Sequence, residues 1–165
     1  MSHDAPIFSG ATEDWRDMLE TNVLAVSVIT REFMSQIKER GVDDGHIIIL
    51  NSLSGHRALN SPSYHFYTAT KFALTGLTEG IRYELRNMKS NIRVSAVSPG
   101  LVRTEFRARS LKQDEIQADK FYDSAFYNGL IIEAEDVASA VVFALSAPLR
   151  TEVNDIYMRP TGQTY

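Results

Sequence analysis

Apolar residues recur every three or four positions between residues 15 and 40, and this spacing predicts one long amphipathic helix. Thr12 is its predicted N-cap because acidic residues follow it, and Gly41 is its predicted stop. The same kind of pattern predicts a second long helix from residue 64 or 67 to about 88, and a shorter one over 133–145.

Three apolar runs predict strands at residues 46–51, 91–98 and 155–158. The first has four apolar residues in a row, which is typical of a strand buried on both faces of a parallel sheet. Because helices and strands alternate along the chain, the predicted fold class is α/β, a doubly wound, Rossmann-like parallel sheet. Ligands bind such sheets beyond the carboxyl ends of the strands, where Ser52 and the Pro99-Gly100 turn are expected.

Tyr67 and Lys71 stand four residues apart in the second predicted helix, so their side chains are expected on one face. A nearby cation favours the ionised phenol, so the pKa of Tyr67 is expected to move toward working pH. A tyrosine of this kind can give or take a proton at a carbonyl or alcohol oxygen. The plainer alternative is a surface tyrosine beside a solvated lysine, and the spacing alone fits both.

Composition narrows the classes of function. The chain of 165 residues is 44% hydrophobic and 23% charged, as expected for a globular domain. Its net charge of -4, with no basic block, gives no support to nucleic-acid binding. It contains no cysteine, no run of the roughly 20 apolar residues that cross a bilayer, and no signal-peptide pattern, so a cytoplasmic protein is expected. No metal site is expected, because its histidines lack ligand spacing and are interpreted as structural or solvent-facing; they are His3, His46, His56 and His65.

Four motifs in this order resemble the short-chain dehydrogenase/reductase family. They are Asn22-Val23, Asn51-Ser52 at a strand end, Tyr67-x-x-x-Lys71, and Ser98-Pro99-Gly100-Leu101-Val102-x-Thr104. The match covers almost the whole chain, and residues 43–57 and 159–161 are most similar to the subgroup called dehydrogenase/reductase member 11. The resemblance implies a nicotinamide cofactor, with NADP favoured over NAD. It also implies a homodimer or tetramer formed through the helices at 15–40 and 67–88.

The resemblance implies a catalytic set of four residues. Asn22 would hold a water that relays protons to Lys71, and Ser52 would hydrogen-bond the substrate oxygen. Tyr67 would be the acid/base, while Lys71 would bind the cofactor ribose and lower the pKa of Tyr67. The plainer interpretations are a turn residue for Ser52 and a polar break in the helix for Asn22.

The resemblance also implies where the cofactor and substrate lie. The nicotinamide would be lined by Pro99, Gly100, Leu101, Val102 and Thr104. Residues 103–132 would form a lid over a small apolar substrate of steroid, retinoid or isoprenoid type, to be interconverted between ketone and secondary alcohol.

Two serines compete for the substrate-binding role. Similar enzymes usually have this serine thirteen residues before the tyrosine, which selects Ser54. Ser52 is preferred here because it directly follows the predicted strand.

One part of the family pattern is absent from the sequence. The family begins with a Gly-x-x-x-Gly-x-Gly loop that receives the pyrophosphate at a helix N-terminus, whereas the nine glycines here include no Gly-x-Gly. Residues 1–165 are therefore expected to be a single partial domain, the catalytic and substrate-binding C-terminal portion, which binds NADPH poorly and turns over little. The alternative is a non-catalytic fragment that acts as a dimerisation or interaction module.

Overall fold

A computed structural model describes residues 1–111 and 115–163 and contains one parallel sheet of three strands. The strands are β1 (His46–Leu50), β2 (Arg93–Pro99) and β3 (Asp155–Met158), and β2 lies in the middle. Their carboxyl ends lie at one edge of the sheet because all three run in the same direction. The predicted parallel sheet is confirmed.

Helices precede, separate and follow the strands. They are α1 (Thr12–Leu19), α2 (Ala25–Glu39), α3 (His65–Asn87), α4 (Phe106–Leu111), α5 (Glu115–Tyr127) and α6 (Ala134–Ser146). A π-helical turn (Glu20–Leu24) joins α1 to α2, and short 3₁₀ turns occur at Leu53–Gly55 and Pro62–Tyr64. None of the helices within residues 1–111 and 115–163 has the length and apolar content needed to cross a bilayer.

The first predicted helix differs from the structure in two respects. Its N-cap is Ala11 and no side chain caps it, so the prediction of Thr12 as N-cap is wrong. The helix is also not continuous, because the π turn interrupts it at Asn22. At the other end, Gly41 adopts φ of 64° just after the last turn, a left-handed conformation that glycine tolerates well.

Burial differs sharply between neighbouring strands. All seven residues of β2 are buried, whereas β1 is mostly half-buried and Leu50 is 58% exposed. The prediction that the first strand is buried on both faces is therefore wrong. β1 pairs only with β2 in the part of the chain that the structure describes, so its outer edge lacks a neighbouring strand.

The main core lies between the sheet and the long helices. Its buried residues come from β1, β2, the segment before β2 and α3, and they are Ile49, Leu85, Ile92, Val94 and Ala96. Partly buried residues of α2, β1 and α3 pack against them, namely Val26, Met34, Ile37, Ile47 and Ile81. Burying apolar area of this kind contributes about 25 cal/mol per Å² and fixes α2 and α3 against the sheet.

The buried cation of Arg82 joins α3 to β2 and β3. Arg82 is 3% exposed, and its guanidinium donates to the carbonyls of Val94 and Asn154 and to the Asp155 carboxylate. It also pairs with Glu79 on its own helix. These contacts tie the C-terminal half of α3 to β2 and to the beginning of β3.

Candidate active site

The Ser52 turn, residues 52–55, continues directly from the carboxyl end of β1. The Asn51 amide still donates to the Val97 carbonyl at 2.8 Å, so the strand pairing extends to this point. The Ser52 hydroxyl then accepts a hydrogen bond from the Ser54 amide at 3.1 Å and caps the 3₁₀ turn. The Ser52 side chain is thereby placed at the edge where the strands end.

The Ser52 turn is fastened to α3 by tight packing. The Asn51 side-chain amide donates to Thr75 Oγ1 at 3.0 Å, and the Thr75 hydroxyl donates to the Gly55 carbonyl at 2.9 Å. A Cβ at Gly55 would lie 2.6 Å from Asn51 Nδ2 and 2.8 Å from the Lys71 carbonyl oxygen. Only glycine therefore lets the turn approach the backbone of α3 this closely.

We expect Gly55→Ala to destabilise the protein by about 1–3 kcal/mol, because the added methyl overpacks a contact with helix backbone. Gly76→Ala is the matched control: it lies in the same helix that Gly55 contacts, and its Cβ would meet nothing within 4 Å. The control should be neutral or stabilise by up to about 1 kcal/mol. Urea unfolding of both variants measures the difference, and equal effects would show that the close approach is absent.

Tyr67 is buried in the first turns of α3, with aromatic rings on two sides. It is 7% exposed, and its ring centroid lies 6.4 Å from that of Tyr64 and 5.6 Å from that of Phe106. Burial raises the pKa of Tyr67 to about 12, and a hydrogen bond with the Ser52 side chain acts in the opposite direction. The structure thus brings the Tyr67 phenol and the Ser52 hydroxyl together, and Ser54 does not contribute to this shift.

Lys71 lies beneath the Tyr67 ring and is also buried. Its ammonium donates to the Leu50 carbonyl at 3.2 Å and lies 5.7 Å from the centroid of the Tyr67 ring. Burial lowers the pKa of Lys71 to about 8. The prediction that Lys71 lowers the pKa of Tyr67 is wrong for this structure: the pKa rises, because removal from water outweighs the other influences and Lys71 is not among them.

Asn22 occupies the π turn and contacts α3 through Thr70. Its side-chain amide donates to Thr70 Oγ1 at 3.0 Å and to the Met1 carbonyl at 2.7 Å, and its oxygen accepts from the Met1 amino group at 2.7 Å. The Thr70 hydroxyl in turn donates to the Tyr67 carbonyl at 2.7 Å. Asn22 therefore reaches the residue next to Lys71, and its role in a proton relay stays a prediction. Single π turns are frequent at functional sites.

The segment predicted to line a nicotinamide begins at the end of β2. Pro99 is the last residue of that strand, and the Gly100 amide donates to the Met158 carbonyl at 2.8 Å. A Cβ at Gly100 would lie 2.3 Å from Gln163 Oε1, so the end of the flexible Gln163 side chain would have to move. Val102 pairs in parallel with Ile132, and Thr104 Oγ1 accepts from the Phe106 amide at 3.3 Å. The role of these residues in cofactor binding stays a prediction.

The predicted lid contains α4 and α5. Phe106 of α4 contacts the Tyr67 ring, so this part of the segment lies over the phenol. Arg103 pairs with Asp123 at 3.1 Å and with Glu133 at 3.3 Å, and these contacts hold the beginning of the segment against α5 and against the N-cap of α6. The arrangement agrees with a cover, but its function as a substrate lid stays a prediction.

Two threonines and one histidine that support the site are not predicted from the sequence. Thr70 and Thr75 fix Asn22 and the Ser52 turn, and His56 bonds to the segment before Pro99. Threonines within a helix carry no distinct signal, because their hydroxyls usually bond locally. His56 was interpreted as structural or solvent-facing, since nothing in its spacing indicates a partner on another strand.

The chain is similar to known proteins over nearly all of its length. The family described as enoyl-(acyl carrier protein) reductase matches residues 1–151. The chain is 47% identical over 163 residues to "Dehydrogenase/reductase SDR family member 11" of Gallus gallus, covering 99% of this chain and 62% of that protein. It is 34% identical over 150 residues to "Farnesol dehydrogenase" of Aedes aegypti, covering 91% and 56%.

A solved structure gives the same result for the fold. The closed form of serine dehydrogenase complexed with NADP+ superposes with a TM-score of 0.85 at 30% identity, covering 98% of this chain and 62% of that one. The predicted Rossmann-like class and the predicted similarity to the member 11 subgroup are confirmed. The chain spans between 56% and 62% of the length of these three proteins.

Proposed function

The chain belongs to the short-chain dehydrogenase/reductase family, and from that premise we propose that it is the catalytic portion of an NAD(P)-dependent oxidoreductase. The reaction is the interconversion of a ketone and a secondary alcohol. The observation that carries the proposal is the buried Tyr67 phenol at the carboxyl edge of a parallel sheet, close enough to the Ser52 side chain for that side chain to act to lower its pKa. The cytoplasmic location and the single partial domain over residues 1–165 are part of the proposal and rest on the sequence.

In this proposal the protein side chains carry out the proton transfer. With a pKa of about 12, the Tyr67 phenol stays protonated at neutral pH and can donate its proton to a carbonyl oxygen as that oxygen becomes an alkoxide. The Ser52 side chain, which acts on the pKa of that phenol, would hold the same substrate oxygen in place. A bound nicotinamide cofactor, NADP or NAD, would supply or accept the hydride at carbon.

The Lys71 ammonium suits the ribose end of such a cofactor. An ammonium has three N–H donors, and within residues 1–111 and 115–163 only the Leu50 carbonyl is bonded to it. Its remaining donors can serve neighbouring ribose hydroxyls, and Pro99, Gly100 and Val102 would line the nicotinamide. The preference for NADP agrees with the NADP+ in the serine dehydrogenase structure. The sequence holds no Gly-x-Gly loop for the pyrophosphate.

The substrate is proposed to be small to medium and apolar, of steroid, retinoid or isoprenoid type. The rings of Tyr64 and Phe106 lie beside the Tyr67 ring, so apolar surface is available next to the proposed proton donor. Apolar walls with a few convergent polar groups are typical of small-molecule sites. The name of the Aedes aegypti relative, farnesol dehydrogenase, supports the same class.

Alanine replacement of the two serines tests the proposal. In the protein supplied with NADPH and an apolar ketone, we expect Ser52→Ala to lower kcat about 10²–10³-fold, because a hydrogen-bond donor to the reacting oxygen is lost. Ser54→Ala is the matched control and should keep kcat within about 3-fold, since Ser54 acts on the site through its backbone amide. If Ser54→Ala shows the larger loss, the assignment of Ser52 is wrong.

A groove between α2 and α3 favours a second candidate function, that of a non-catalytic dimerisation module. A cavity of about 730 Å³ lies there, and its apolar lining includes Val26, Met34, Leu77 and Ile81. An unfilled apolar groove of this kind indicates a subunit interface. The proposed occupant is a second copy of the same helices, which would give a homodimer or tetramer whether or not the site turns over.

Leu77→Glu should convert the dimer to a monomer, because it places a charge in the groove. Leu149→Glu is the control, since Leu149 is 78% exposed and does not line the groove. Size-exclusion chromatography measures both, and dissociation by the control alone would contradict the assigned interface. A dimer of the 165-residue chain that fails to oxidise NADPH would favour the module over the enzyme.

A further inference from the structure

A side-chain cluster next to the site joins the ends of all three strands. His56 follows the Ser52 turn after β1, Ser98 precedes the last residue of β2, and Tyr157 lies in β3. The His56 imidazole lies 3.0 Å from Ser98 Oγ through Nε2 and 3.2 Å from the Tyr157 hydroxyl through Nδ1. The His56 and Tyr157 rings also pack edge to face, with centroids 4.4 Å apart.

His56 is connected to the two segments that the proposed reaction needs. Its backbone amide donates to the Leu53 carbonyl at 3.0 Å and so closes the turn that begins at Ser52. Its imidazole bonds to Ser98, which is fully buried and stands immediately before Pro99 and Gly100. One residue therefore connects the proposed substrate-binding turn, through its backbone amide, to the segment proposed to line the nicotinamide, through its imidazole.

The chemistry of the cluster fits a neutral imidazole. Neutral imidazole has one donor and one acceptor nitrogen, and a hydroxyl can serve either one, so both tautomers satisfy Ser98 and Tyr157. Burial lowers the pKa of His56, and the Asp155 carboxylate acts weakly in the other direction. The group is therefore uncharged at neutral pH and acts as a spacer of fixed length between two hydroxyls.

We propose that His56 is a positioning residue for the reaction, which sets the separation between the Ser52 turn and the Pro99-Gly100 turn through its bond to Ser98. This inference rests on the proposed function. In reactions of this type, a displacement of about 1 Å between reacting groups can cost on the order of 10²-fold in rate. His56 itself touches neither Tyr67 nor Lys71 through any hydrogen bond among those described.

Hydrogen–deuterium exchange on the protein without cofactor tests whether His56 holds the Ser52 turn and the Pro99-Gly100 turn together. His56→Leu fills similar space but has no hydrogen bond to offer, whereas His56→Gln keeps a neutral donor and acceptor. In His56→Leu we expect at least about 10-fold faster exchange at both the Gly55 amide and the Gly100 amide, with little change in α6. Ser98→Ala removes the same bond from the other side and should reproduce the effect if His56→Leu does not fold. Unchanged exchange at either amide would overturn the inference.

Steady-state kinetics test whether this positioning by His56 affects the rate of the proposed reaction. His56→Leu should lower kcat about 10–100-fold with KM for the ketone within about 3-fold, and His56→Gln should recover most of the loss. His65→Leu is the control, because the contact of the His65 imidazole within residues 1–111 and 115–163 is with the Leu59 carbonyl, away from both turns. Equal activity of His56→Leu and wild type would overturn the inference. If the wild type itself shows no turnover, the proposed function fails, whereas the exchange result still decides whether His56 couples the two turns.

Discussion

Replacing Tyr67 with phenylalanine should lower the rate of ketone reduction about 10²–10⁴-fold, the usual contribution of a positioned general acid. The change removes one hydroxyl and leaves the ring between Tyr64 and Phe106. The loss should fall on kcat, because the proton is needed only as the carbonyl oxygen gains charge. Single-turnover oxidation of NADPH measures this step without interference from product release.

Tyr64→Phe is the matched control for this prediction. Tyr64→Phe removes the same atom from a neighbouring ring whose centroid is 6.4 Å away, and Tyr64 has a smaller influence on the pKa of Tyr67 than Ser52 has. The control should therefore retain kcat within about 3-fold. Comparable losses in both variants would mean that the aromatic cluster acts by packing, and Tyr67 would then have no special role in proton transfer.

Arg82→Met should give the largest loss of stability, about 2–5 kcal/mol. The guanidinium is 3% exposed and is the donor for the Val94 and Asn154 carbonyls and for Asp155. Methionine fills comparable space but donates nothing, so buried acceptors between α3 and the strands lose their partner. Urea unfolding monitored by circular dichroism measures the change in the free energy of unfolding.

Arg86→Met provides the comparison one turn further along α3. Its side chain is 56% exposed and lies 3.9 Å from Glu152, so this pair is screened by water and should contribute under about 1 kcal/mol. If the two arginine variants were equally stable, the buried network around Arg82 would not hold α3 on the sheet as described.

Most of the elements follow from the sequence, because their causes are local. Hydrophobic periodicity places α3, α6 and the three strands within two residues of their observed bounds. The four-residue spacing of Tyr67 and Lys71 likewise predicts that both belong to one helical face, and both are buried there. Such features need only the helical repeat and the apolar pattern.

The features that the sequence could not provide depend on distant contacts. The π turn at Asn22 accompanies a hydrogen bond to Thr70, 48 residues further along the chain. The direction of the pKa shift of Tyr67 depends on burial by surrounding elements, and a rule based on the neighbouring lysine gives the opposite sign. The apolar run of β1 predicts a central strand. Its exposure depends instead on which strands flank it, and β2 is the one neighbouring strand among the described residues.

The choice between two serines shows the same limit. Ser52 and Ser54 lie in one short turn, and counting back from Tyr67 favours one while adjacency to the strand favours the other. In the structure the Ser52 hydroxyl caps the turn and the Ser52 side chain acts to lower the pKa of Tyr67, while Ser54 contributes its backbone amide. The assignment of Ser52 as the substrate-binding serine stays a prediction. The different contacts of the two serines depend on the path of the backbone after β1, and the spacing between serine and tyrosine in the sequence does not reveal that path.

A double-mutant cycle on Ser52 and Tyr67 tests most directly whether the two hydroxyls act as one unit on the substrate oxygen. The rate of ketone reduction is measured for the wild type, Ser52→Ala, Tyr67→Phe and the double variant. We predict that the double variant is no slower than Tyr67→Phe by more than about 3-fold, because groups that act together show non-additive losses. If the two losses instead multiply in full, the hydroxyls act independently and the proposed site is incorrect.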